Sequence, residues 1–305
     1  MLDLIIIGGG PAAVAAGVYA ARKKMKTLVI AESFGGQSIV SADVQNWIGT
    51  KSVSGYDLAK MFEEHLKSQE DIEILEGERV SQIERAGDNF RLGTNGGKKY
   101  ETKTVLIATG SRRKRLGIPG EDKFDGTGVA YCSICDAPIF KGKDVAVVGG
   151  GNAGLEAVID LLPYATKIYL IVRGGDLKGD AVTQNKVRSN PKVEIIFNAL
   201  SQEVIGDKFV SGLTYKDSVS GAIKELQVNG VFVEIGSLPN TDFLKGLLTL
   251  NAIGEIVVDH KTQRSSVTGI WAAGDASDVI YKQNNISAGD AIKATLNIYD
   301  YLNKK

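Results

Sequence analysis

Two glycine-rich turns constrain the fold of this chain more than any other feature. The first, residues 8–13, reads G-x-G-x-x-A, and the second, residues 149–154, reads G-x-G-x-x-G. Each follows a short apolar run and precedes a helical pattern. Glycine permits a tight turn and close approach of a pyrophosphate, and the helix N-terminus supplies N–H donors. One such motif is weak, but two copies in the same context predict an α/β protein with two Rossmann-like dinucleotide-binding domains.

The apolar runs around both turns predict parallel strands buried on both faces. The expected strands are 4–7, 27–30, 105–108, 145–148, 168–172 and 269–273, and the expected helices are 14–24, 155–162 and 286–302.

The order of these segments predicts that the second domain is inserted in the first. Gly274 and Asp275 end a late strand and belong with the first glycine turn, so the chain leaves the first domain and returns to it. We expect the first domain to span 1–115 and 244–305 and the second to span 116–243. A chain of 305 residues, 43% of them hydrophobic, can build two such cores.

Cys132 and Cys135, the only cysteines, form a C-x-x-C pair followed by Asp136. This spacing allows a reversible disulfide and lowers the pKa of one thiol, which indicates thiol–disulfide exchange. Half a zinc site or two buried thiols are the alternatives, but the two histidines are far away in sequence and no metal is expected. Asp136 is a candidate proton donor or acceptor; the alternative is an aspartate that caps a turn or helix.

Charge and hydropathy exclude some partners. Lysine plus arginine equals aspartate plus glutamate at 36 each, which favours neither nucleic acid nor a membrane surface. The first apolar run stops at Gly8 and lacks a basic leader, unlike a secretion signal. We therefore expect a cytoplasmic protein, and a lone C-x-x-C in a reducing compartment favours catalysis over structure.

The chain resembles the low-molecular-weight thioredoxin reductases. It is also similar to the flavoprotein subunit of bacterial alkyl hydroperoxide reductase, without the extra N-terminal disulfide domain of that protein. The resemblance covers nearly the whole chain and rests on these segments: 8–13, 35–37, 45–47, 108–110, 132–136, 149–154, 236–241, 274–275 and 281–283.

The resemblance implies FAD in the first domain, a pyridine nucleotide in the second, and a homodimer. It implies that electrons pass from a donor through FAD and the Cys132–Cys135 disulfide to thioredoxin or a thioredoxin-like protein. Cys135 would be the sulfur nearest the flavin, and Cys132 would attack the partner disulfide. The expected FAD contacts are Gly8, Gly10, Ala12, Glu32, Gly36, Gln37, Asn46, Gly110, Gly274, Asp275, Lys282 and Gln283. The expected nucleotide contacts are Gly149, Gly151, Asn152, Gly154, Arg173 and Lys178.

The stretch 172–178 departs from the family pattern, which leaves the electron donor open. Family members that use NADPH carry three arginines here, which hold the ribose phosphate. This chain retains Arg173, has glycine at the next position and has Lys178 at the last. These two cations favour NADPH; NADH, ferredoxin or another donor remain alternatives.

Three other functions stay open at this stage. The chain could serve as the reductase of a peroxide-removing system, run in reverse as a dithiol oxidase, or be a nucleotide-sensing flavoprotein without activity. The basic run 112–115 is either a solvated linker or a docking patch for an acidic carrier.

Overall fold

The computed structural model describes residues 1–41 and 43–304. The chain forms two compact units: unit 1 comprises Met1–Ile39, Trp47–Arg112 and Leu238–Lys305, and unit 2 comprises Val40–Asn46 and Arg113–Ser237. The main crossings therefore lie between 112 and 113 and between 237 and 238, a few residues before the boundaries suggested by the sequence.

Unit 1 is built on a seven-stranded sheet. Its strands are β1 Leu2–Ile7, β2 Thr27–Ala31, β3 Ile72–Glu76, β4 Val80–Ala86, β5 Asn89–Thr94, β6 Lys99–Ile107 and β17 Ile270–Ala272. They lie in the order β3-β2-β1-β6-β5-β4, with β17 also paired to β6. Strands β1, β2, β3, β6 and β17 run parallel, whereas β4, β5 and β6 form an antiparallel meander. The helices are α1 Pro11–Arg22, α2 Gly55–Lys67 and α6 Asn284–Asn303, with 3₁₀ helices at Gly36–Val40, Asp242–Leu244 and Gly274–Ala276.

Unit 2 repeats the parallel core. Its strands are β8 Val129–Ala130, β9 Asp144–Val148, β10 Lys167–Ile171, β11 Val193–Ile196, β12 Ala199–Gly206, β13 Val210–Asp217, β14 Ile223–Gln227 and β15 Gly230–Val233. A five-stranded sheet has the order β11-β10-β9-β15-β8, and a separate three-stranded antiparallel sheet has the order β12-β13-β14. The helices are α3 Ser133–Asp136, α4 Asn152–Leu161 and α5 Ala181–Ser189, with a 3₁₀ helix at Ala137–Phe140.

The two units share one arrangement, in which the strand before each glycine turn is central. In unit 1, β1 lies between β2 and β6; in unit 2, β9 lies between β10 and β15. Leu4, Val145 and their neighbours on these strands are fully buried because helices and connecting segments cover both faces of a parallel sheet. The predicted fold class, two Rossmann-like domains with the second inserted in the first, is confirmed.

The helices that follow the glycine turns begin three residues earlier than predicted. Helix α1 starts at Pro11 rather than Val14, and α4 starts at Asn152 rather than Leu155. Proline suits the first helical position because it needs no hydrogen-bond partner for a missing N–H. The turns therefore lead directly into helix, without an intervening loop.

The sequence analysis did not predict α2. Its N-cap Ser54 accepts a hydrogen bond from the Asp57 backbone N–H at 3.0 Å and donates its hydroxyl to the Asp57 carboxylate at 2.7 Å. This Ser-x-x-Asp pattern is a recognisable helix start.

Two short strands, β7 Ser111–Arg113 and β16 Ser237–Pro239, form a two-stranded sheet where the chain crosses between the units.

Within the described residues, no helix combines the length and apolar character required to span a bilayer.

Candidate active site

A disulfide joins Cys132 and Cys135, with their Cα atoms 5.3 Å apart. Cys132 occupies the N-cap of α3, and the Asp136 backbone N–H donates to its carbonyl oxygen at 3.0 Å. The Cys135 backbone N–H donates to Cys132 Sγ at 3.3 Å. Over residues 1–41 and 43–304, no three His, Cys, Asp or Glu side chains are placed to hold a metal ion.

Asp136 lies directly after this disulfide in a largely buried position. Burial raises the pKa of its carboxyl to about 7, and the Asp125 carboxylate adds to this, while Arg113 opposes it. Asp136 also stands at the N-cap of the following 3₁₀ helix, but its side chain makes no capping hydrogen bond there. A carboxyl with a pKa near neutrality can both release and accept a proton at physiological pH.

A second acid, Glu234, was missed by the sequence analysis. It follows β15 directly and is 8% exposed; burial raises the pKa of its carboxyl to about 7, and Arg113 opposes this shift. The Ser133 hydroxyl donates to a third acid, Asp160 on α4, at 2.7 Å. The sequence did carry a signal for Glu234, namely an acid directly after an apolar run. Because β15 lies beside β9, the end of β15 lies near the second glycine turn.

The first glycine turn is shaped by close backbone contacts. Gly8 has φ +131°, and a Cβ there would lie 2.2 Å from the Ala108 carbonyl oxygen. Gly10 is the N-cap of α1 and provides no capping side chain, and the first turn of the helix contains no acid. Gly36 lies opposite, where a Cβ would be 3.3 Å from the Gly10 Cα. The turn thus leaves the first N–H groups of α1 without a capping side chain.

The structure brings several predicted FAD residues together around Asp275. The Gln37 side-chain amide donates to the Asp275 carboxylate at 3.1 Å and to the Ser111 hydroxyl at 3.0 Å. The Ser111 hydroxyl, which the sequence analysis did not name, lies 3.3 Å from the same carboxylate oxygen. Gly274 lies beside the turn, since a Cβ there would be 3.4 Å from the Ala12 Cβ. Gly110 and Ser111 follow β6, and Gly274 and Asp275 follow β17. Because β6 and β17 are parallel neighbours, their carboxyl ends meet around Asp275.

Other predicted FAD residues have different surroundings. The Lys282 ammonium pairs with Glu255 at 2.8 Å and donates to the carbonyl oxygens of Ser277 at 2.7 Å and Asp275 at 3.3 Å. The Lys282 ammonium group therefore has three acceptors within the protein. The remaining three predicted residues lie as follows: Gln283 is the N-cap of α6, Glu32 is exposed just after β2, and Asn46 is exposed in the segment that groups with unit 2.

The second glycine turn repeats the geometry of the first. Gly149 has φ +142°, and a Cβ there would lie 2.2 Å from the Glu234 carbonyl oxygen. A Cβ at Gly154 would lie 1.9 Å from the Gly149 carbonyl oxygen, which explains glycine at the third position. Gly151 is the N-cap of α4, again without a capping side chain or an acid in the first turn. Open space surrounds its Cβ position.

The segment after β10 packs beside this turn. The Lys178 backbone N–H donates to the Gly150 carbonyl oxygen at 2.8 Å, and the Asp180 N–H donates to the Asn152 side-chain oxygen at 2.7 Å. Asn152 therefore holds the loop as well as starting α4. The side chains of Arg173 and Lys178 are exposed on this segment. The structure thus places both predicted cations on a loop attached to the glycine turn.

The basic run 112–115 is divided among different partners. Arg112 donates to Asn240 at 2.9 Å, whereas Arg115 pairs with Asp122 at 2.8 Å and also with Asp125. Two of the four basic side chains of this run, Arg112 and Arg115, therefore have partners within the protein.

Comparisons with known proteins agree with this geometry. The family model described as "Pyridine nucleotide-disulphide oxidoreductase" matches residues 2–291. A solved thioredoxin reductase from Streptococcus pyogenes MGAS5005 is 33% identical with a TM-score of 0.93, covering 100% of this chain and 99% of that one.

Curated relatives are more similar in sequence but longer. A protein from Pseudomonas putida, named as a subunit of alkyl hydroperoxide reductase, is 45% identical, and one named "NADH dehydrogenase" from Bacillus subtilis (strain 168) is 43% identical. Each match covers 98% of this chain but only 58% of the relative. The chain therefore belongs to the pyridine nucleotide-disulphide oxidoreductase family.

Proposed function

We propose that the protein is a flavin-dependent disulfide reductase that passes two electrons to thioredoxin or a thioredoxin-like protein. The observation that carries the proposal is the Cys132–Cys135 disulfide, which lies next to Asp136, a carboxyl with a pKa of about 7. A purely structural disulfide needs no proton donor, whereas a disulfide that opens in each turnover does.

The residues of unit 1 fit FAD. The uncapped start of α1 offers N–H groups to a pyrophosphate, and Gly10 and Gly36 leave room for it beside the backbone. Asp275 and Gln37 supply a hydrogen-bonding pair at the strand ends for the polar part of the cofactor. When bound, the flavin supplies the two electrons that open the disulfide.

The residues of unit 2 fit a nicotinamide nucleotide. The start of α4 is uncapped, and the space around Gly151 admits a phosphate. Arg173 and Lys178, exposed on the adjoining loop, suit the ribose phosphate of NADPH. Stopped-flow mixing of the oxidised protein with NADPH, NADH or reduced ferredoxin tests this assignment. Flavin bleaching fastest with NADPH supports it, and bleaching only by another donor overturns it.

The cysteines then carry the electrons to the partner. Opening the disulfide takes two electrons and one proton and yields one thiol and one thiolate. The Cys132 thiolate attacks the partner disulfide, forming a mixed disulfide and releasing a partner thiolate, which takes up a proton. Cys135, after losing its proton, attacks the Cys132 sulfur, re-forms the internal disulfide and releases the second partner sulfur.

The single experiment that tests the function is turnover with oxidised thioredoxin, followed by loss of the reduced donor. A second candidate is the reductase of a peroxide-removing system, favoured by the 45% identity to a subunit of alkyl hydroperoxide reductase. A separate small disulfide carrier, supplied together with a peroxidase, would then be reduced faster than thioredoxin.

By the same resemblance we infer a homodimer in the cytoplasm, where a reducing environment suits exchange chemistry. Sedimentation analysis of the purified protein measures its oligomeric state, and fractionation of cells determines its compartment.

A further inference from the structure

Two hydroxyl groups flank Cys132 in unit 2. Tyr131 precedes this cysteine and Ser133 follows it, and the hydroxyl of each donates a hydrogen bond to a carboxylate. The Tyr131 hydroxyl lies 2.9 Å from Glu121, and the Ser133 hydroxyl lies 2.7 Å from Asp160. The residues on both sides of the cysteine are therefore anchored through their side chains.

Glu121 is a well-fixed anchor for Tyr131. Its carboxylate accepts hydrogen bonds from the backbone N–H groups of Leu116 at 2.9 Å and Gly117 at 2.7 Å as well as from the tyrosine. Glu121 is 2% exposed and Tyr131 is 8% exposed, so water competes little for these bonds. Moving the carboxylate would leave buried donors without an acceptor, which is costly. Glu121 therefore holds the tyrosine in one position.

Arg115 contacts the same tyrosine from a second direction. Its guanidinium donates to the Tyr131 hydroxyl oxygen at 3.0 Å and lies over the tyrosine ring, 5.0 Å from the ring centre. The guanidinium is itself paired with Asp122 and Asp125. The Tyr131 hydroxyl thus accepts one hydrogen bond and donates another, both with charged groups, which makes both bonds stronger than bonds between neutral groups.

The anchor on the other side of the cysteine acts through helix α3. Ser133 is the first residue of α3, and its partner Asp160 belongs to α4. Cys132 is the N-cap of α3, and its sulfur accepts a hydrogen bond from the Cys135 backbone N–H at 3.3 Å. The sulfur of Cys132 therefore contacts the same helical turn that the serine fixes.

Restraint of both neighbours of Cys132 raises the effective concentration of the two sulfurs for each other. When a disulfide opens, its thiols can move apart, and the conformational entropy that they gain opposes closure. Anchored neighbours reduce this gain, so closure is more favourable than in a loosely held C-x-x-C segment.

We propose that Tyr131 and Ser133 are positioning residues for Cys132, whose two hydroxyl hydrogen bonds keep its sulfur close to Cys135 and favour closure of the disulfide. In turnover, the Cys135 thiolate attacks the Cys132 sulfur, the internal disulfide forms, the bond to the partner breaks and the partner sulfur leaves as thiolate. The place of this step in turnover rests on the proposed function, whereas the effect of the two anchors on closure does not.

The test measures closure with glutathione in the whole protein, without electron donor or protein partner. The protein dithiol and oxidised glutathione give the protein disulfide and two reduced glutathione molecules, so two electrons and two protons pass to glutathione. Acid quenching, thiol alkylation and peptide mass spectrometry give the closed fraction in buffers of different glutathione ratio. In Tyr131→Phe and in Ser133→Ala we expect the closure constant to fall at least about threefold, which corresponds to a rise in reduction potential of about 14 mV.

A matched control and a double variant make the result decisive. Tyr215→Phe removes the hydroxyl of another buried tyrosine of unit 2, 6% exposed and located on β13, and should leave the closure constant unchanged. The variant that combines Tyr131→Phe with Ser133→Ala should show the product of the two single effects, because the two anchors have different partners.

Circular dichroism verifies that each variant is folded, and each single variant tests its own anchor, so a misfolded one leaves the other decisive. An unchanged or higher closure constant in either folded single variant, or an equal fall in Tyr215→Phe, would overturn the inference. Because neither donor nor partner is present, failure of the proposed function would leave this readout unaltered.

Discussion

The backbone N–H of Cys135 donates a hydrogen bond to the sulfur of Cys132, 3.3 Å away. The same N–H is positioned to stabilise negative charge on Cys132 once the disulfide has opened, because a hydrogen bond to the charged form favours ionisation. This geometry supports Cys132 as the sulfur that attacks the partner.

The two cysteines should therefore differ when each is replaced. In Cys135→Ser, Cys132 can attack oxidised thioredoxin but cannot be released, so a mixed disulfide should accumulate while turnover falls by about 10³-fold or more. In Cys132→Ser, no mixed disulfide should form. Non-reducing electrophoresis detects the adduct, and flavin absorbance checks that both variants retain the cofactor. An adduct only in Cys132→Ser would reverse the roles, and full turnover by either variant would reject the relay.

Asp136→Asn should alter the pH dependence of disulfide reduction. The pKa of Asp136 is raised to about 7, so its carboxyl is an available acid below that pH and is lost as a donor above it. The rate of the parent protein should fall as pH rises through about 7. The variant should be slower by about 10²-fold, with that fall weakened. Steady-state rates from pH 5.5 to 9 provide the measurement, with the exposed Asp207→Asn as control.

The same substitution should affect stability in a pH-dependent way. The folded state holds the Asp136 proton up to about pH 7, whereas the unfolded state releases it near 3.8. The folded state therefore binds more protons between these values, and its stability falls as pH rises across that range. Asp136→Asn removes this loss. The unfolding temperature of the variant should therefore exceed that of the parent protein by a larger margin at pH 8 than at pH 4. An equal difference at both pH values would contradict the buried carboxyl.

Alanine at the two N-cap glycines should separate the two cofactor sites. Gly151 has open space around its Cβ position, so Gly151→Ala should fold normally but weaken nicotinamide nucleotide binding by about tenfold, because the methyl group occupies the pyrophosphate position. Gly10→Ala should instead lower FAD content. Each variant is the control for the other, measured by nucleotide titration and by flavin absorbance. Loss of both ligands in one variant would indicate misfolding.

Arg173→Ala should distinguish between the nucleotides. If Arg173 contacts the ribose phosphate, the KM for NADPH should rise by about tenfold, the value of one hydrogen bond to a charged group. The KM for NADH should change little. Lys186→Ala removes another exposed cation of the same unit, on α5, and should affect neither. Equal increases for both nucleotides would point to a general effect on the turn.

Local features of the fold could be predicted from the sequence, because glycine turns and apolar strands are set by neighbouring residues. The Cys132–Cys135 bond was predictable for the same reason. Contacts between distant segments were not: Gln37 meets Asp275 across 238 positions, and their pairing depends on strand order.

Two residues, Lys282 and Glu234, show what sequence patterns do not reveal. The motif around Lys282 predicts a flavin contact, and it gives no sign of the ion pair that this lysine makes with Glu255, a residue with no motif around it. Glu234 is buried beside the second glycine turn because β15 lies between β9 and β8, an order that its immediate sequence does not reveal.

The hydrogen bond from the Ser133 hydroxyl to Asp160 has a mechanical consequence. Because Ser133 follows Cys132 directly, this bond ties the chain beside that sulfur to α4 and limits how far the backbone shifts when the disulfide opens.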